Sequence, residues 1–169
     1  MATNTHQNLA SGRIARTGVL TVSDTRTASN DTSGRIICRL LLRAGHEVRE
    51  QAIVRDEPDA IGAYLDRWIA REDMDLILLT GGTGLARRDT TIEVVAARFD
   101  RELDGFGELF RMLSWKQIGP AAMMSRATAG LAGRTLLFAM PGSSAAVRLA
   151  MTELIVPEIA HLLWVVQDG

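Results

Sequence analysis

The chain has 169 residues, 47% of them hydrophobic and 23% charged, with a net charge of −1. That is enough chain for one domain with a substantial core, and too little positive charge for general attraction to nucleic acid. The lone cysteine, Cys38, excludes an intramolecular disulfide and a cysteine-rich zinc site, and His6, His46 and His161 lack ligand spacing. Residues 1–12 are polar, without the apolar stretch of a signal peptide, and read as a disordered tail ahead of a single domain over 13–169. No run reads as a membrane span, so the expected location is the cytoplasm.

Arg13 to Val22 reads as the first strand, and the polar cluster Ser23-Asp24-Thr25-Arg26 follows it. Open α/β sheets place ligands beyond the carboxyl ends of their strands, so this cluster is either a ligand edge or a plain loop. It has no G-x-G-x-x-G, which argues against a nicotinamide or flavin dinucleotide. Asp31-Thr32-Ser33 supplies capping oxygens for a helix whose apolar positions are Ile36, Ile37, Leu40 and Leu41, and Gly45 suits its end. His46 to Val54 reads as the second strand. Pro58 fits the first position of the next helix, which makes Glu57 its cap and leaves Asp56 free in the loop. Ile61, Leu65, Trp68 and Ile69 form that helix's buried stripe.

Asp75 to Thr80 is the third strand, and it runs into Gly81-Gly82-Thr83-Gly84-Leu85-Ala86-Arg87-Arg88-Asp89. Glycine takes positive φ without steric cost and lets a ligand approach bare backbone, and successive N–H groups in such a loop form an anion nest. Two arginines supply cations for phosphate, and Asp89 supplies a carboxylate for a metal ion. Thr90 or Thr91 caps a short helix from Ile92 to Arg98. Leu103 to Gly107 reads as a turn and Glu108 to Ile118 as a helix. Met112, Trp115, Met123 and Met124 are either core or a subunit contact. Residues 125–140 suggest a strand, a glycine turn and another strand. Pro141-Gly142-Ser143-Ser144 then opens a long helix whose start offers N–H groups to an anion or is simply capped, and which Pro157 kinks or divides. Alternating strands and helices imply a mostly parallel, doubly wound α/β sheet with helices on both faces and a small antiparallel hairpin.

Six segments, in order, carry a family resemblance: Leu20 to Asp24, Asp31 to Gly34, Thr80 to Gly84 with Arg88-Asp89, Gly105 to Glu108, Ser125 to Ala127, and Pro141 to Ser143. From about Ile14 to Leu163 the chain resembles the molybdenum cofactor biosynthesis family of MoaB, MogA and the G domain of gephyrin. The wording around 106–118 and 138–143 is closer to MoaB. The resemblance implies a homotrimer or homohexamer that adenylylates molybdopterin with Mg-ATP and releases pyrophosphate. Other proteins of the pathway would then insert molybdate into the product. By the same match, Asp56 and Asp89 fall on the two functional carboxylates that act with Mg²⁺ and ATP. Gly81, Gly82, Thr83, Gly84, Arg88 and Ser143 fall on the nucleotide and phosphate segments. Ser23, Asp24, Ser125, Pro141 and Gly142 fall on the molybdopterin pocket. Ser144 and Ala145 stand where many members carry proline and lysine, and Asp104 replaces a common proline. Asp56 is retained, whereas some MoaB-type members that lack this acid have lost the activity. The alternative is a molybdopterin-binding or scaffold paralogue without catalysis.

Overall fold

A computed structural model describes residues 12–168. Of the tail expected over residues 1–12, residues 1–11 lie outside the described residues. The strands are β1 (Arg16–Val22), β2 (Glu47–Val54), β3 (Leu76–Thr80), β4 (Arg101–Glu102), β5 (Thr128–Ala132) and β6 (Thr135–Met140). They form one sheet in the order β2-β1-β3-β6-β5-β4. The first four are parallel, while β5 runs antiparallel to both β6 and β4. The helices are α1 (Thr32–Arg43), α2 (Pro58–Ile69), α3 (Thr91–Ala96), α4 (Asp104–Ile118), α5 (Ser144–Ala150) and α6 (Val156–Asp168).

Strand side chains alternate between two cores, as the pleat requires. Leu76, Leu78, Leu136 and Phe138 face α1, α4, α5 and α6. Ile77, Leu79, Leu137 and Ala139 face the other way, onto Ile61, Leu65 and Trp68 of α2 and Val95 of α3. Because β3 and β6 are covered on both faces, they read in sequence as unbroken apolar runs. Asp31 caps α1 by accepting from the Gly34 N–H at 2.9 Å, and Gly45, at φ +84°, follows the helix end as expected.

Two local expectations change, and one short strand was not anticipated. The segment read as a turn over 103–107 is the first turn of α4. Its glycines disfavour a helix, but Phe106 packs edge-on against Phe138 at 5.0 Å and a Cβ on Gly107 would sit 2.7 Å from the Ala127 carbonyl. Tertiary packing overrides propensity there. The two-residue β4 is too short to leave a period. The final helix is divided not by a plain kink but by a π-turn, Met151–Ile155, just before Pro157. Pro157 has no N–H for the carbonyl one turn back, and the wider turn absorbs that gap.

Residues 144–168 are long and apolar enough to cross a membrane by length and composition, which the sequence reading did not find. Their apolar stripe, Val147, Ala150, Met151, Ile155, Ile159 and Leu163, is buried in the core of this fold.

Candidate functional site

The chain passes from β1 to β2 on one side and to β3 on the other, so the strand order reverses between β1 and β3. Such a switch point leaves a crevice at the carboxyl ends. A cleft of about 490 Å³ lies there. Ser23, Gly81 to Gly84 and Asp89 line it, and so do Ser125, Pro141 and Gly142.

The glycine loop is built tightly. Gly81 and Gly82 take φ +99° and +61°. The Gly81 N–H donates to Met140 O at 3.2 Å, and a Cβ on Gly81 would meet the Val22 carbonyl at 2.2 Å. Only glycine lets the loop pass this close to the end of β1. A Cβ on Gly84 would lie 2.5 Å from the Asp89 carboxylate, which accepts from the Ala86 N–H at 3.1 Å. Arg126 pins the loop from outside. Its guanidinium donates to the carbonyls of Thr83 and Asp89, each at 3.1 Å, and pairs with Glu93.

Beside the cleft lies an acidic edge. The Asp56 N–H donates to Asp24 at 3.2 Å, and Arg88 pairs with the other Asp24 oxygen at 2.6 Å. Asp56 itself accepts from the Thr90 N–H at 3.4 Å and the Thr90 hydroxyl at 3.5 Å, both long. Burial pushes the Asp56 carboxyl above the ordinary aspartate range, and the charges of Asp89 and Asp24 push the same way. The Thr90 N–H and Arg88 oppose the shift without cancelling it.

Asp24, Asp56 and Arg88 therefore flank the cleft rather than line it. Ser143 caps α5 by accepting from the Ala146 N–H at 3.2 Å. Two lining residues come from segments that stood out in the sequence, but neither was given a binding role of its own. Arg26 supplies the cation on the cleft wall. Ser33, also on the wall, donates to the Gly142 carbonyl at 2.8 Å. The Ser125-Arg126-Ala127 segment was visible as a motif, but nothing in it announced that Arg126 reaches the loop.

Among the described residues, no three His, Cys, Asp or Glu side chains converge to hold a metal ion. Mg²⁺ needs fewer, since one or two carboxylates suffice when substrate phosphates and water complete its shell. Asp56 and Asp89 offer hard oxygens of that kind, and a carboxyl raised partly by neighbouring negative charge is one that a cation would relieve.

Fold and cleft together define a doubly wound α/β protein with a glycine-loop site at its switch point. The family described as a probable molybdopterin binding domain matches residues 18–161. Molybdenum cofactor biosynthesis protein B of Bacillus subtilis is 51% identical over 151 residues, covering 89% of each chain. A crystal structure of a molybdenum cofactor biosynthesis protein B is similar at TM-score 0.90 and 46% identity, over 93% of this chain and 98% of that one. The tungsten cofactor synthesizing protein MoaB from Pyrococcus furiosus is similar at TM-score 0.81 and 35% identity, over 94% and 100%. The chain belongs to the MoaB/MogA family of molybdenum cofactor biosynthesis proteins.

Proposed function

We propose that this protein adenylylates molybdopterin with Mg-ATP, giving adenylyl-molybdopterin and pyrophosphate. The observation that carries the reading is the bare, left-handed glycine loop, pinned by Arg126 and flanked by Asp56 and Asp89, at the edge of a cleft. A pterin phosphate oxygen attacks the α-phosphorus of ATP. The bond from that phosphorus to the bridging oxygen breaks, and pyrophosphate leaves with the electron pair. Such a transfer needs positioning and charge neutralisation more than a strong base. Loop N–H groups hold phosphate oxygens, and Arg26 adds a cation. Asp56 and Asp89 hold Mg²⁺, which when bound neutralises phosphate charge. Ser23, Ser125, Pro141 and Gly142 form the wall on which the pterin rests, with Asp24 and Arg88 setting the rim. On this reading the protein works in the cytoplasm.

The test is pyrophosphate release on adding molybdopterin to the protein with Mg-ATP. Release only when both substrates are present is the expected result. Pterin binding without release favours the second reading, a molybdopterin-binding paralogue without catalysis. That reading draws on Ala145, exposed on the first turn of α5, where many family members carry lysine.

The assembly we propose is a trimer or hexamer. Met112, Trp115 and Met123 are 54%, 59% and 78% exposed, so the methionine and tryptophan segment is not core. Contiguous exposed apolar surface of this kind marks a contact face. Light scattering at micromolar concentration is expected to give three or six chains; a stable monomer would rule the assembly out.

A further inference from the structure

Thr91 is fully buried, and its hydroxyl has neither a hydrogen-bond partner nor contact with solvent. Buried hydroxyls left unpaired are uncommon and unfavourable. The surrounding sequence offers an ordinary use that the fold declines. Thr90 and Glu93 have capping-box spacing, yet Thr90 makes no side-chain cap bond to α3, and Glu93 pairs with Arg126. The Thr90 hydroxyl goes to Asp56 instead. Local rules set aside in this way point to a functional constraint.

The unpaired hydroxyl has a definite neighbour. Thr91 Oγ1 lies 2.2 Å from the point that a Cβ on Gly82 would occupy, and Asp56 Oδ2 lies 2.7 Å from the same point. Residue 82 being glycine, no side chain of its own separates hydroxyl from carboxylate. The Thr91 N–H donates to the Gly82 carbonyl at 3.0 Å, which ties the two backbones together. The bonds that Asp56 now accepts, from Thr90, are both on Oδ1 and both long for N–H···O and O–H···O contacts. Its Oδ2 therefore has a donor close by that it does not yet use.

We propose that Thr91 is a positioning residue of this site: its hydroxyl is the donor that fixes the Asp56 carboxylate, through Oδ2, when a cation–nucleotide ligand draws Asp56 off its long Thr90 contacts. The inference rests on assigning the cleft to Mg-ATP. Hydrogen bonds from outside a metal's ligand shell orient the ligating carboxylates, and losing one typically weakens affinity or activity about 10–100-fold. The hydroxyl is left unpaired in the free protein, at some loss of stability, so that it is in place for the bound state.

The test compares Thr91→Val, which keeps the shape and removes the hydroxyl, with Thr91→Ser, which keeps the hydroxyl and removes a methyl. Mn²⁺ stands in for Mg²⁺ so that binding of Mn²⁺–ATP is followed by electron paramagnetic resonance. The valine variant is expected to melt a few degrees above the parent, about 2–6 °C, and to bind Mn²⁺–ATP about 10-fold more weakly. The serine variant is expected to melt below the parent yet bind within about two-fold of it, a margin small beside that 10-fold loss. A residue that served only packing would not uncouple melting from affinity in this way. If valine does not fold, alanine against serine carries the same comparison. Parental affinity in the valine variant, or a folded serine variant as weak as valine, overturns the proposal. If the parent binds Mn²⁺–ATP but does not adenylylate molybdopterin, the proposed activity falls and the role of Thr91 stands on binding. If the parent binds no Mn²⁺–ATP, both fall.

Discussion

Asp56→Asn and Asp89→Asn are each expected to slow adenylylation by about 10²–10³-fold, the usual loss when one transition-state electrostatic contact is removed. Asparagine keeps the shape of each side chain and one acceptor oxygen, so Thr90 and Ala86 keep their bonds to residues 56 and 89. What goes is the charge that, on the proposed function, would hold Mg²⁺ and orient the α-phosphate. Pterin binding, followed by fluorescence, is expected to stay near the parental value. Folding is expected to survive as well. The Asp56 carboxyl is raised above the ordinary aspartate range, so its favourable contribution belongs to the protonated form. That contribution is complete below the unfolded value near 3.9 and is lost as pH rises through the raised folded value. At neutral pH the ionised group is held at a disadvantage, and Asp56→Asn should melt no lower than the parent. A variant that releases pyrophosphate at the parental rate under saturating Mg-ATP would show that its residue is misassigned. If both do, the proposed mechanism does not apply.

The largest effect on stability is expected at Gly81. An alanine there must adopt φ near +99° and place its Cβ 2.2 Å from the carbonyl oxygen of Val22. The neighbour is backbone at the end of a buried strand, not the flexible tip of a side chain. Backbone strain of this kind costs about 1–3 kcal/mol, and relieving the overlap adds to it. The sum should reach roughly 3 kcal/mol or more, a fall of about 6–12 °C in melting temperature for a chain of this size. Gly45→Ala is the natural control. It has φ +84° and nothing within 4 Å, so it carries the backbone term alone, about 1–2 kcal/mol. Urea denaturation of the two variants separates strain from contact. If Gly81→Ala is no less stable than Gly45→Ala, the close approach between β1 and the loop is not what requires glycine.

Much of this fold was legible because its signals are local. The apolar runs of β1 and β3, the Asp31 cap, Pro58 at a helix start and Gly45 at a helix end each lie within a few residues of the feature they specify. The doubly wound arrangement followed from the alternation of strand and helix. Apart from the π-turn beside Pro157, which has a local cause, the misreadings come from contact between distant segments. The start of α4 is settled by Phe138 and Ala127, not by the glycines of its own sequence. The pairing of β4 depends on Gly130 and Leu131. The site divides in the same way. Gly81 to Gly84 with Asp89 stood out by composition as a candidate loop for phosphate, and these residues line the cleft. That Asp24 is matched to Arg88 across 64 residues, or that Arg126 clamps Thr83 across 43, could not be read from spacing. Asp56 shows the limit best, since local reading left it a free loop acid and only the fold brings it to Gly82 and Thr90.

The place of β6 in the sheet has a consequence for how the protein is made. β3 pairs with β1 on one edge and β6 on the other, yet more than fifty residues separate the end of β3 from the start of β6. A ribosome adding about 5–20 residues per second leaves the second edge of β3 open for several seconds. That edge belongs to Leu76-Ile77-Leu78-Leu79-Thr80, an uncharged, strand-forming segment of the type that recruits other chains. The Pro141 wall and the Arg126 clamp also arrive after the loop they complete. A nascent chain therefore passes through its most aggregation-prone stage before its cleft exists, so no ligand of that cleft can protect it there, and chaperone capacity rather than ligand supply should govern its yield.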